Sequence, residues 1–301
     1  MRAVVFAYHN VGVRCIQVLL ARGIDIALVV THIDNPAEQI WFDSVVDLCA
    51  EKNIPVVMPE DATSDVLFER IDAIAPEFIF SFYYRHMLPV RLLTLASHGA
   101  FNMHGSLLPK YRGRVPINWA VLHGEDTTGA TLHEMVAKPD AGAIVAQTAV
   151  PILPDDTAHN VFGKVVVAAE ITLWNVLPEM LADRTPRLPN DLTQGSYFGG
   201  RKPEDGRIDW QQPAQQIYNL HRAVAPPYPG AWTVLGDATY VIGEARLSSR
   251  IFTDALPGLA VGDNAIFGIG NDARALAISL LLRDGQPVLA STLQQQLHAL
   301  R

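Results

Sequence analysis

Between Gly99 and Ala120 the chain reads GAFNMHGSLLPKYRGRVPINWA, its densest run of polar and chemically capable side chains. Asn102 and His104 stand two apart in an extended stretch, and residues i and i+2 of a strand point to the same face, so one pocket can hold both. A carboxamide can hydrogen-bond an oxyanion as it develops, and an imidazole titrates close enough to neutrality to move the proton of an attacking amine. A carboxylate that orients and charges the imidazole would complete the set. Asp140, in KPDAGAIVAQ just before a β-type run over 144–150, offers one. By residue type alone, Asp-Ala-Gly is equally a tight turn into that strand, and Asn-x-His is equally a structural hydrogen-bonded pair. Together the three suit acyl transfer to an amine.

The elements around these residues alternate. Apolar runs at 3–7, 26–30, 56–58, 78–80 and 100–103 read as strands, and helical spacing at 13–20, 40–50 and 66–74 falls between them. This alternation predicts an α/β domain with a doubly wound parallel sheet, whose ligand crevice lies at the carboxyl ends of the strands. Tyr8 and His9, residues 31–35, residues 81–86, and Asn102 with His104 all collect at those ends. The first turn, AYHNVG, has Gly12 as its only glycine, so it is no GxGxxG fingerprint and a nicotinamide cofactor is disfavoured. A long helix is expected from Thr157 to about Leu181, followed by a stretch rich in Pro, Gly and charge. We place a catalytic domain at 1–190, a linker at 191–206, and a small C-terminal β-barrel of OB-like type at 207–301. That last segment shows one helix (214–223) and β-type runs at 231–234, 239–242, 265–269 and 275–281.

Two domains suit 301 residues, and 49% hydrophobic with 18% charged residues is the composition of an ordinary folded protein. The formal net charge of −8 argues against nucleic acid as the main partner, since such proteins neutralise phosphates with clustered basic residues. Cys15 and Cys49 belong to no CxxC or Cys/His cluster with metal spacing, so they read as buried thiols of a reducing compartment and no metal is expected. The start MRAVVFAYHN lacks a signal-peptide core, and no continuous apolar run approaches the roughly 18 residues of a membrane span. A cytoplasmic protein without a membrane partner is the expectation.

The run FNMHGSLLPKYRGRVP, followed downstream by DAGAIVAQ, resembles the 10-formyltetrahydrofolate-dependent formyltransferase family, whose Asn, His and Asp triad matches Asn102, His104 and Asp140. Further runs, VVFAYHN, THIDNP, IFSFYYRHML, GEDTTGATLHEMV and HRAVAPPYPGA, resemble the formyltransferase domain of the bifunctional lipid A aminoarabinose (polymyxin resistance) enzyme. The resemblance implies that Asn102 stabilises the oxyanion, that His104 donates or accepts the proton, and that Asp140 raises the pKa of His104. It implies a folate lining of His86, Met87, Leu88 and Arg114 together with the loop Val136, Ala137, Lys138, Pro139 and Asp140. The co-substrate would be 10-formyltetrahydrofolate, and the acceptor the 4-amine of UDP-4-amino-4-deoxy-L-arabinose. Initiator methionyl-tRNA and other nucleotide-linked amino sugars remain alternatives; for tRNA a basic face is expected, whereas 207–301 intersperses Asp and Glu with scattered Arg. Tyr8, Arg201 and Tyr228 are candidate sugar-nucleotide contacts. Arg201, in GGRKPED, is a partner for a diphosphate or simply a solvated charge, and Tyr228 walls the sugar site or packs the linker. The bifunctional relative carries a dehydrogenase half that the 301 residues do not include, so the resemblance implies either a separate decarboxylase or dehydrogenase of the same pathway or a half removed from this chain.

Overall fold

The computed structural model describes residues 1–36, 38 and 40–300. Its first strand, β1 (Arg2–Ala7), is buried at every position after Arg2, as a strand covered on both faces must be. There follow α1 (His9–Ala21), β2 (Asp25–Val30), α2 (Val45–Lys52), β3 (Val56–Val57), α3 (Asp65–Ile74), β4 (Phe78–Phe82), α4 (Val90–Leu93) and β5 (Ala100–His104). Next come β6 (Arg112–Gly113), α5 (Pro116–Leu122), β7 (Thr127–Glu134), β8 (Ile144–Pro151), α6 (Ala158–Leu181) and β9 (Tyr197–Phe198).

Seven of these strands form one sheet in the order β3-β2-β1-β4-β5-β7-β8. From β3 to β5 the pairing is parallel, and β7 and β8 join antiparallel at the far side. The fold is therefore the expected doubly wound α/β sheet, extended by an antiparallel pair that periodicity did not single out. TTGATLHE carries Gly129 and five polar residues, so β7 does not look like the apolar strands beside it. On one face of the sheet Val4, Phe6, Leu28, Val30 and Ile79 pack with Ile71 and Leu92 from the helices. On the other, Phe78, Phe80 and Phe82 of β4 stack successively at 5.5 Å between ring centroids.

Two helix starts differ from the sequence reading. Helix α2 begins at Val45, not 40, because the Ser44 hydroxyl accepts from the Asp47 backbone N–H at 3.1 Å and caps it there. Helix α1 begins at His9, straight off β1, and a Cβ at Gly12 would stand 3.1 Å from the Ala7 Cβ, so glycine permits that close strand-to-helix approach. Helix α6 is long and apolar enough by composition to cross a bilayer, but Val161, Val165, Ala169, Leu173 and Leu177 are fully buried along it and Lys164 and Glu170 interrupt it. It is a core helix.

The chain divides into two compact units that are discontinuous in sequence. The first comprises Met1–Pro116, Thr127–Pro151 and Gly163–Gly199; the second Ile117–Asp126, Ile152–Phe162 and Gly200–Arg301. The passage from one to the other at 199–200 falls within the stretch read as a linker. In the second unit α7 (Ala214–Val224) precedes β10 (Ala231–Leu235), β11 (Ala238–Ile251), β12 (Gly258–Gly262), β13 (Ala265–Ile269), β14 (Arg274–Arg283), β15 (Gln286–Pro287) and α8 (Ala290–Ala299). Its strands form a curled antiparallel sheet, β10-β11-β14-β13-β12, with β15 beside β14. Register shifts near Glu244 and between Ser248 and Ile251 bend the long β11, which lets the sheet curl.

Candidate active site

Strand β5 presents Asn102 and His104 on one face, as their spacing requires, and the antiparallel register sets His133 of β7 opposite Asn102 and Thr131 opposite His104. The site is thus a four-residue patch of two paired strands. Thr131 ties it to the following loop: its hydroxyl donates to the Ser106 carbonyl at 2.6 Å and accepts from the Leu108 N–H at 3.1 Å and the Gln147 amide at 2.9 Å.

Asp140 reaches this patch from the loop between β7 and β8. Its backbone sits at φ 49°, the left-handed region that Asp tolerates better than most residues. The Asn190 amide holds that turn by donating to the carbonyls of Asp140 at 3.1 Å and Gly142 at 2.9 Å. One carboxylate oxygen, Oδ2, accepts from the Gly113 N–H at 2.7 Å. The other, Oδ1, lies 3.6 Å from His104 Nδ1 and 3.4 Å from His133 Nε2. Burial alone would raise the Asp140 pKa, but the two imidazoles and the Gly113 N–H outweigh it and hold the carboxyl well below the usual range.

His104 is 6% exposed, and its Nε2 is 2.8 Å from the Tyr111 carbonyl, which can only accept. The proton of the neutral ring is therefore on Nε2, leaving Nδ1 turned to Asp140. Burial pushes the His104 pKa below its ordinary value; the charge of Asp140 and the Tyr111 carbonyl pull it back up without cancelling that effect, and His133 adds to the lowering. In its neutral form the ring presents Nδ1 to take a proton beside a carboxylate. The hydroxyls at the patch are committed to main-chain carbonyls, Thr131 donating to Ser106 and Ser106 to Lys110, and Cys15 and Cys49 are buried elsewhere. Such a set suits direct transfer between two bound substrates.

The other residues singled out from the sequence are distributed as follows. Leu88 packs into the core with Val4, Phe6 and Leu92, whereas His86 and Met87 are exposed, Met87 at 57%. Leu88 thus offers a ligand its main chain only. Arg114 is exposed, its N–H bonded to the Phe198 carbonyl at 2.9 Å, and Val136, Ala137 and Lys138 are exposed ahead of half-buried Pro139. Tyr8 is 5% exposed and donates its hydroxyl to Asp34 at 2.6 Å, with the Arg85 guanidinium 4.7 Å over its ring. Burial, then the bond to Asp34, push its pKa upward. Arg201 and Tyr228 belong to the second unit. Arg201 lies 4.9 Å over the Trp119 ring with its Nε buried and unpaired, and burial pushes Tyr228 up to about 12. Among the described residues no group of three or more His, Cys, Asp or Glu is placed to hold a metal.

His133 is the member the sequence reading missed, and alternation of Thr131 and His133 in a strand antiparallel to β5 was the signal that could have found it. The contributions of the Tyr111 carbonyl and the Gly113 N–H carry no residue-type signal at all.

A family model for formyl transferase matches residues 1–177, and one for the formyl transferase C-terminal domain matches residues 201–296. The chain belongs to the formyl transferase family. Solved structures share the fold of this formyltransferase at low identity. WlaRD, a sugar 3N-formyl transferase solved in the presence of dTDP and 5-N-formyl-THF, is 18% identical, with 95% of this chain and 98% of that one covered at TM-score 0.73. An N-formyltransferase from Helicobacter canadensis, in complex with folinic acid and dTDP-3-aminofucose, is also 18% identical, covering 92% and 98% at TM-score 0.71. Methionyl-tRNA formyltransferase from Clostridium thermocellum is 16% identical, covering 82% and 94% at TM-score 0.57.

Proposed function

We propose that this formyltransferase moves the formyl group of 10-formyltetrahydrofolate onto the amine of a nucleotide-linked amino sugar, with Asn102, His104 and Asp140 as the reacting constellation. The observation that carries the reading is the buried contact of Asp140 with a neutral imidazole on the strand face that also presents Asn102. The folate supplies an activated formyl carbon and a leaving nitrogen. His104 accepts the proton of the attacking amine on Nδ1 and returns it to that leaving nitrogen, since Nε2 is committed to Tyr111. Asp140 stabilises the imidazolium while it exists. Asn102 donates an amide N–H to the formyl oxygen as negative charge gathers there.

The donor set fits a folate in kind. The exposed apolar side chains of Met87 and Val136 suit the flat face of a pterin, and the main chain of residues 86–88 and of the loop 136–140 supplies its hydrogen-bonding partners. WlaRD and the Helicobacter canadensis enzyme, both solved with a formylated folate, support that donor, and their dTDP ligands support a nucleotide sugar as acceptor. The sequence runs FAYHN, SFYYRH and HGSLLPKYRGR favour UDP-4-amino-4-deoxy-L-arabinose in particular.

Tetrahydrofolate release with a panel of nucleotide-linked amino sugars tests the reading, using wild type beside Asn102→Ala, His104→Ala and Asp140→Ala. Turnover by wild type and its loss in the variants are expected; equal inertness of all four with every acceptor would overturn it.

A further inference from the structure

We propose that His133 is a positioning residue for formyl transfer, its Nε2 fixing the Asn102 carboxamide beside Asp140. The inference rests on the formyltransferase reading and adds a fourth side chain to it. The ring is pinned on its far side. Its Nδ1 stands 2.8 Å from the Glu134 carbonyl, an acceptor only, so Nδ1 carries a proton. Nε2 then meets two groups with opposite needs: the Asn102 amide at 3.1 Å, which donates, and Asp140 Oδ1 at 3.4 Å, which accepts. In the neutral ring, with its proton on Nδ1, Nε2 can only accept, so it takes one amide N–H of Asn102 and leaves the second N–H for the formyl oxygen.

Position excludes a direct chemical part. His133 is 2% exposed and its ring centroid is 6.4 Å from that of His104, so it reaches the reacting atoms only through Asn102 and Asp140. The strand register makes the arrangement reproducible, because Asn102 and His133 are directly paired residues of β5 and β7. An amide left free to rotate would offer its carbonyl oxygen to the developing oxyanion about as readily as its N–H, and an oxyanion donor matters only when aimed.

Two substitutions separate positioning from mere space-filling. His133→Gln keeps a polar atom where Nε2 stands, whereas His133→Asn keeps one where Nδ1 stands and removes the contact to Asn102. The expected result is a kcat within about threefold of wild type for His133→Gln. For His133→Asn a fall of at least about tenfold is expected, with the KM for 10-formyltetrahydrofolate held within about twofold, a fraction of the loss that follows removal of an oxyanion donor. In an Asn102→Ala background His133→Asn should cost less than about twofold, since the group it positions is gone. Equal kcat for Gln and Asn variants, or an Asn penalty that persists undiminished without the Asn102 amide, would overturn the proposal while the wild-type turnover leaves the formyltransferase reading standing. A wild type that transfers no formyl group to any acceptor would instead remove both.

Discussion

Replacing Asp140 by asparagine removes one charge and little else. Asparagine also tolerates the φ of 49°, and its carbonyl oxygen can still accept from the Gly113 N–H, so the turn held by Asn190 persists. What disappears is the attraction between the carboxylate and the imidazolium formed during transfer. At the observed 3.6 Å, two unit charges attract by about 4.6 kcal/mol for an effective dielectric of roughly 20. Both side chains are nearly buried, at 7% and 13% exposed, so little of this is screened. Allowing for the small solvent access and for the dipole of the new amide, a loss of about 3–4 kcal/mol is the working figure, or roughly 10²–10³ in kcat. The assay is tetrahydrofolate release at saturating substrates, beside a thermal melt of both proteins. A melting temperature within a few degrees of wild type and the stated loss of kcat are expected. Turnover of Asp140→Asn within about threefold of wild type would refute the role given to this charge.

Further outcomes follow from the same geometry. Thr131→Val removes a buried hydroxyl that serves Ser106, Leu108 and Gln147 at once; a loss of about 2 kcal/mol in unfolding free energy, read by denaturant midpoint, is expected because the Leu108 N–H is left unpaired. Gly113→Ala adds a Cβ against the Phe198 carbonyl at φ +97° and displaces the N–H that Asp140 accepts, so kcat should fall by at least about tenfold. His221 is 3% exposed, and burial first, then Arg222, lower its pKa from 6.5 to about 4. The unfolded chain therefore takes up this proton first: the stability due to the neutral ring is complete above about pH 6.5 and is lost as pH falls toward 4, on the order of 3 kcal/mol in all. His221→Gln should flatten that part of the stability profile, as measured by urea midpoints between pH 7 and 4.

The parallel half of the sheet was legible because buried strands of Val, Ile and Phe alternate with amphipathic helices. Strand β7 was not, since its own face of the site is made of Thr131 and His133 and interrupts the apolar pattern. For the same reason Asn102 and His104 could be read as sharing a pocket from their spacing, while His133 could not be added without the antiparallel register. Asp140 was legible as the carboxylate partner of the imidazole but equally as a turn residue; what holds it at the patch is the Gly113 N–H on its carboxylate and the Asn190 amide on its backbone carbonyl, the first of which is main chain and the second fifty residues away. The balance of effects on His104 was also hidden. From residue types, Asp140 should charge the imidazole, but the depth of burial that opposes this belongs to the folded chain alone. The two units are interleaved in sequence: 117–126 and 152–162 leave the first unit and return to it, which no compositional boundary marks.

The most direct measurement is formyl transfer from 10-formyltetrahydrofolate by wild-type protein, with UDP-4-amino-4-deoxy-L-arabinose and dTDP-linked amino sugars offered beside charged initiator methionyl-tRNA. Formylation of a nucleotide-linked amino sugar with the tRNA left untouched is the predicted result; formylation of the tRNA alone would contradict it.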